Sequence, residues 1–284
     1  MTSHPLHITT KDNYRIALSL FRPHSQPKTA VIINSATGEL RQYYSRFARF
    51  LSQPGWQIIC YDYRGIGGSR TQDTTDKALT MINWGRKDYA AVVDWVEENY
   101  PEHKILGIGH SIGGQLLSLL PDNHRISAHL NIASQHAYWG NWQGKFKAQS
   151  FVFFHALLPA FRFASEFPKW VLGSEALPKF VARDSARFGR KRFYTDVDGH
   201  ELHENFFNYH GKIRFLAIAD DHAFAPPSAV KSLKDNVYSN AEGELILIEP
   251  KHYGMKHINH FGFFKKTMNQ QAWQECANWL NEQV

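Results

Sequence analysis

One pentapeptide constrains this chain more than any other feature. Gly109-His110-Ser111-Ile112-Gly113 follows the apolar run Lys104–Leu106 and precedes the helix-like segment Gln115–Leu120. A strand that turns sharply into a helix, with one side chain raised at the bend, strains the backbone of the raised residue. The positions two before and two after it must then be small. Gly109 and Gly113 meet that demand, and Gly114 permits close packing of the helix on the sheet. The start of the helix presents backbone N–H groups to a developing oxyanion. Glycine and serine are common, so the pentapeptide alone says little; its place between strand and helix gives it weight. Ser111 is the candidate nucleophile. A dinucleotide fingerprint does not fit, because Gly107 and Gly109 are followed by Gly113, one residue too late for the G-x-G-x-x-G spacing. Gly65, Gly67 and Gly68 do not supply it either.

The rest of the chain alternates as that bend requires. Leu6–Thr10 and Tyr14–Phe21 flank the polar turn Lys11-Asp12-Asn13 and predict an antiparallel hairpin. Ala30–Asn34, Trp56–Tyr61, Lys104–Gly109, Ile126–Ile132, Ile213–Ile218 and Glu244–Ile248 read as buried strands. Between them, Tyr43–Leu51 places Phe47, Phe50 and Leu51 on one side, and Tyr89–Tyr100 repeats Ala91, Trp95 and Val96 at helical spacing before Pro101. This predicts an α/β fold with a mainly parallel central sheet and helices on both faces. The rhythm breaks between about Ser134 and Tyr209, a stretch rich in Trp, Phe and Tyr. Residues 1–133 and 210–284 are therefore expected to form the core. Residues 134–209 are expected to form an aromatic-rich helical insertion, with a core of its own and a lid over the C-terminal edge of the sheet.

Composition narrows the function classes. With 284 residues, 43% hydrophobic and 20% charged, the chain can bury a large core without disulfides or a structural metal. Only Cys60 and Cys276 are present, which points to a reducing compartment. The N-terminus lacks a basic start and an apolar run, and no stretch is long enough to span a bilayer, so a cytoplasmic protein is expected. The net charge of +6 is spread along the chain, apart from Arg183, Arg187, Arg190, Lys191 and Arg192, and no nucleic-acid signature accompanies it. A nucleic-acid partner is not expected; surface contact with lipid remains open.

Four motifs carry a resemblance. Asp62-Tyr-Arg-Gly-Ile-Gly-Gly-Ser69 and Gly109-His-Ser-Ile-Gly-Gly114 come first, then Ala219-Asp-Asp-His222 and Asn259-His-Phe-Gly-Phe-Phe264. With them, nearly the whole chain resembles the α/β-hydrolase superfamily, in its serine-aminopeptidase or monoacylglycerol-lipase-like branch. The first motif is a structural turn in that family. The resemblance implies the order nucleophile, acid, histidine. Asp220 and Asp221 follow the strand ending at Ala219; Asp221 is the expected acid, with Asp220 the alternative and whichever is spare expected to cap the helix near Pro226–Leu233. Sixteen histidines dilute any one of them. His260 is preferred as base because Asn259-His260-Phe261 resembles the family's Gly-His-aromatic pattern; the asparagine is a departure, and His252 and His257 stay open. The oxyanion hole is expected to combine the Ile112 amide with that of Thr37, or of Ala36, in Asn34-Ser-Ala-Thr-Gly38, where the family's His-Gly is missing. His200-Glu-Leu-His203-Glu204 spaces its histidines three apart, whereas a zincin box needs four. Neither a metal nor a cofactor is expected. These parts imply an esterase or lipase-like enzyme for small apolar esters. Amide, thioester or peptide cleavage, or a non-catalytic ligand-binding protein, are the alternatives.

Overall fold

The computed structural model describes residues 3–23, 27–53, 55–73, 75–164, 166–169, 175–202 and 206–284. Strands β1 (Ser3–Thr9) and β2 (Arg15–Phe21) pair antiparallel, with Leu6 opposite Leu18. The chain reverses through Asn13, whose φ of 62° suits asparagine, and Tyr14 N–H donates to the Thr10 hydroxyl at 2.9 Å. β3 (Thr29–Asn34), β4 (Gln57–Tyr61), β5 (Lys104–His110) and β6 (Ala128–Ile132) follow. A two-stranded unit of β7 (Glu166–Phe167) and β8 (Leu177–Pro178) precedes β9 (Lys212–Ile218) and β10 (Glu242–Ile248). The main sheet has eight strands in the order β1-β2-β4-β3-β5-β6-β9-β10. From β4 onward all pairs are parallel. Every residue of β3, β4 and β6 is buried, as strands covered on both faces require.

Helices fill the crossovers: α1 (Ser45–Ser52), α2 (residues 81–99) and α3 (Leu116–Leu119). α2 begins eight residues before the amphipathic stretch at Tyr89. The Thr80 hydroxyl caps Asn83 N–H at 3.1 Å, and a π-helical segment, Trp84–Tyr89, turns Trp84, Asp88 and Tyr89 inward. Asp88 thereby accepts from Arg64 Nε at 2.7 Å and from its backbone N–H at 2.9 Å. Asp62 plays a matching part, accepting from the N–H groups of Arg41 at 2.7 Å and Gly68 at 2.9 Å. The Asp62–Ser69 turn is thus held by buried carboxylates.

Between β6 and β9 lie α4 (residues 144–160, with a π-helical segment Phe153–Leu157), the β7–β8 pair and α5 (Lys179–Arg190). The short β7–β8 pair was not anticipated from sequence. The basic group is partly absorbed locally, Arg187 pairing with Asp184 and Arg190 Nε donating to Ala186 O. After β9 come α6 (Pro227–Asn236), the one-turn α7 (Asn259–Gly262) and α8 (Gln270–Asn281). Cys60 and Cys276 are free and buried. No helix among the described residues is long and apolar enough to cross a membrane.

His136 joins the loop after β6 to two other elements. Its Nε2–H donates to Arg192 O at 2.9 Å, and its Nδ1 accepts from the Ser232 hydroxyl of α6 at 2.9 Å. Burial pushes this imidazole down to about 4, with the Arg192 charge adding to the effect and the carbonyl bond opposing it. Its ordinary value is 6.5. Between these limits the unfolded chain binds a proton that the folded one refuses, so stability falls as pH drops from 6.5 towards 4. The loss attached to this one group is about 3 kcal/mol. Urea unfolding of His136→Gln should therefore show a shallower acid decline than wild type across that window. Parallel curves would show that the imidazole is not held neutral.

Candidate active site

β5 ends in the expected bend. Ser111 has φ 55°, in the left-handed region, and opens a tight turn (Ser111–Gly114) that leads into α3. The glycines around it are sterically compelled. A Cβ on Gly109 would lie 2.3 Å from Gly114 N, and one on Gly113 would lie 2.2 Å from Asn34 O. Those neighbours are backbone and cannot swing aside. The helix after the bend is shorter than Gln115–Leu120, because Leu120 is already extended.

The C-terminal loop brings His260 to the same place. Its Nδ1 lies 2.6 Å from Asp221 Oδ2, and both residues are almost fully buried. Asp221 Oδ1 accepts from Phe224 N–H at 3.1 Å. Asp220 points elsewhere: it accepts from Ile258 N–H at 3.0 Å and Asn259 N–H at 2.9 Å. It therefore caps the turn that carries His260, not the helix near Pro226–Leu233. This holds Asn259 at φ 52°, a conformation asparagine tolerates, at the position where the family's glycine is absent. His252 and His257 are largely exposed, facing Glu249 at 3.9 Å and Asp220 at 3.5 Å.

The loop after β3 supplies amides. Ala36 N–H donates to the Tyr44 hydroxyl at 2.7 Å and is thereby occupied. Thr37 N–H has no partner among the described residues, and Thr37 lines the same cavity as Ser111 and His260. Ile112 N–H sits in the first turn beyond the bend, where no intrahelical acceptor exists.

One buried group escaped the sequence reading. Tyr44 O–H donates to His110 Nδ1 at 2.8 Å, and His110 Nε2–H donates to the His260 carbonyl at 3.0 Å, the tautomer that satisfies both contacts. Burial, helped by the neighbouring His260, holds His110 well below the ordinary histidine range and hence neutral. Burial likewise raises the Tyr44 phenol. This relay links the β3 loop, the bend and the His260 loop. Its one sequence signal was the histidine preceding Ser111, which β-alternation turns away from the serine.

A cavity of about 400 Å³ opens over Ser111, Thr37 and His260. The segment between β6 and β9 supplies much of its wall, including Trp142, Phe146, Phe153, Phe154 and Leu157. Ser111, Thr37 and His260 line the same cavity beneath an apolar wall, an arrangement that suits attack on a carbonyl attached to an apolar group. His200 lies on an exposed turn, 3.1 Å from Asp196 Oδ2; with Asp198 these groups bring their ligand atoms within 4.8 Å of one another, apart from the cavity lining. His203 and Glu204 lie outside the described residues.

Comparison with known proteins adds the lineage. Rat monoglyceride lipase is 23% identical over 110 residues, 39% of this chain and 35% of that protein. The chain thus spans about a third of the length of the monoglyceride lipases it matches. An esterase of Pyrococcus furiosus superposes over 99% of this chain and 92% of its own, with a TM-score of 0.62 and 17% identity. An esterase of Exiguobacterium antarcticum covers 98% and 100%, with a TM-score of 0.65 and 13% identity. At such identities the likeness shows a shared α/β-hydrolase fold. The family model described as serine aminopeptidase, S33, matches residues 25–198, more than half of the sequence, and the chain belongs to that family of α/β-hydrolases.

Proposed function

We propose that this protein is a serine hydrolase that cleaves a carboxylic ester bearing an apolar group, through an acyl-enzyme on Ser111. The observation that carries this reading is the buried 2.6 Å contact between His260 Nδ1 and Asp221, opening on the cavity that Ser111 lines. His260 Nε2 takes the Ser111 proton as Oγ bonds to the ester carbonyl carbon. The same proton then passes to the departing alkoxide as the C–O bond breaks. Water, deprotonated by His260, next attacks the acyl carbon; the acyl C–Oγ bond breaks and the imidazolium returns its proton to Ser111 Oγ, releasing the acid. Asp221 fixes the imidazole tautomer and stabilises the imidazolium. The Thr37 and Ile112 amides receive the oxyanion, each worth about 3 kcal/mol in such sites. Residues 134–209 act as the lid, and their aromatic wall selects apolar esters over charged ones. The named esterases and monoglyceride lipase point to the same bond class.

A fluorophosphonate probe followed by peptide mass analysis tests the nucleophile, and a p-nitrophenyl ester series tests the cavity. Labelling at Ser111 and a turnover optimum at short to medium chain length are expected. Labelling at another serine, or no labelling of folded protein, would overturn the proposal.

A further inference from the structure

The loop after β9 places one residue against both members of the acid–imidazole pair, its ring on the imidazole and its backbone N–H on the carboxylate. The Phe224 ring stacks on His260, with centroids 5.0 Å apart and planes at 27°. Its backbone N–H donates to Asp221 Oδ1, the oxygen that His260 does not use. Phe261 meets the same imidazole edge-on at 4.8 Å. The loop and the first turn of α6 that follows it are tied to the segment above, because Trp142 Nε1 donates to Ala223 O at 2.8 Å and the Ser228 hydroxyl to Asn141 O at 2.7 Å. Phe224 itself is 38% exposed, so core packing alone does not account for a large aromatic side chain there.

We propose that Phe224 is a positioning residue, whose ring fixes the plane of the His260 imidazole and whose π face favours the imidazolium formed during acyl transfer. This rests on His260 acting as the base. A neutral imidazole gains dispersion contact from the ring, whereas a charged one gains the additional attraction of a cation to the aromatic quadrupole. An interaction that strengthens as charge develops lowers the barrier without tightening ground-state binding. The bond to Asp221 makes the two effects cooperate, since the residue that holds the carboxylate also holds the ring. The two contacts from residues 134–209 then keep the loop from drifting.

The test compares wild type, Phe224→Leu and Phe224→Tyr on p-nitrophenyl acetate, a substrate small enough to ask little of the cavity. For Phe224→Leu, kcat should fall about 3- to 30-fold with KM nearly unchanged. Phe224→Tyr should restore it to within about twofold, since the π face returns. The downfield Nδ1 proton of His260 in NMR spectra should broaden in the leucine variant and stay sharp in the tyrosine variant. Wild-type kcat in Phe224→Leu, or equal losses in both variants with an unchanged proton signal, would overturn the proposal. Absence of Ser111-dependent turnover in wild type, with the proton signal still following residue 224, would instead sink the acyl-enzyme reading and support the stacking role.

Discussion

Ser111→Ala is expected to lower kcat on a p-nitrophenyl ester by about a millionfold, the scale seen when a serine hydrolase loses its nucleophile. The variant isolates the hydroxyl unusually well. Ser111 Oγ makes no hydrogen bond among the described residues, and alanine inherits the same φ of 55°, so neither a bond nor the strain of the bend changes on substitution. Thermal stability should stay within about 1 kcal/mol of wild type, because only one buried oxygen is removed. Residual turnover a few thousandfold above the uncatalysed rate should persist, since the Thr37 and Ile112 amides remain in place. Turnover near the wild-type rate would assign the chemistry to another group.

The bend was legible because its demand is steric and local. Only glycine escapes the 2.3 Å and 2.2 Å contacts at positions 109 and 113, so the requirement is written in residue type. The inner parallel strands were legible for a related reason: burial on both faces leaves near-continuous apolar runs. β10 was expected to be buried as well, but it is the edge strand and only Ile248 in it is buried; its place in the chain was still found, its start lying two residues earlier than expected. The start of α2 was not legible. Asn83-Trp-Gly-Arg-Lys-Asp88 looks polar, and its π turn shifts which residues face inward, so a 3.6-residue period fails there although Trp84 and Asp88 are buried. The β7–β8 pair, two residues a strand, falls below any periodicity.

Within the site, the same divide separates local from tertiary signals. Chain order pointed to the neighbourhood of Asp220–Asp221 and to three histidines, but only the folded loop shows which carboxylate meets which ring. The Tyr44–His110 relay joins three loops spread over more than 200 residues, and no spacing rule connects them. Ala36 and Thr37 could not be separated by residue type either, since both would act through main chain. What distinguishes them is that Tyr44 already occupies the Ala36 amide.

The adjacent aspartates allow the sharpest division of roles. Asp221→Asn is expected to lower kcat by about ten-thousandfold with little change in KM, because an amide that donates to Nδ1 stabilises the wrong tautomer and leaves the imidazolium unbalanced. Asp220→Asn should behave differently. Asp220 touches no ring of the pair; it accepts two backbone N–H bonds from Ile258 and Asn259, and an amide oxygen can replace only part of that charged acceptor. The expected result is a stability loss of about 1–3 kcal/mol, and a kcat loss nearer a hundredfold as the turn carrying His260 drifts. Steady-state kinetics and urea unfolding on both variants separate the cases. A large kcat loss without instability in Asp220→Asn, together with a mild one in Asp221→Asn, would exchange the two assignments. It would also require His260 to swing from the fully buried partner to a partly exposed one, weakening the low-dielectric setting in which a carboxylate–imidazolium pair is strongest.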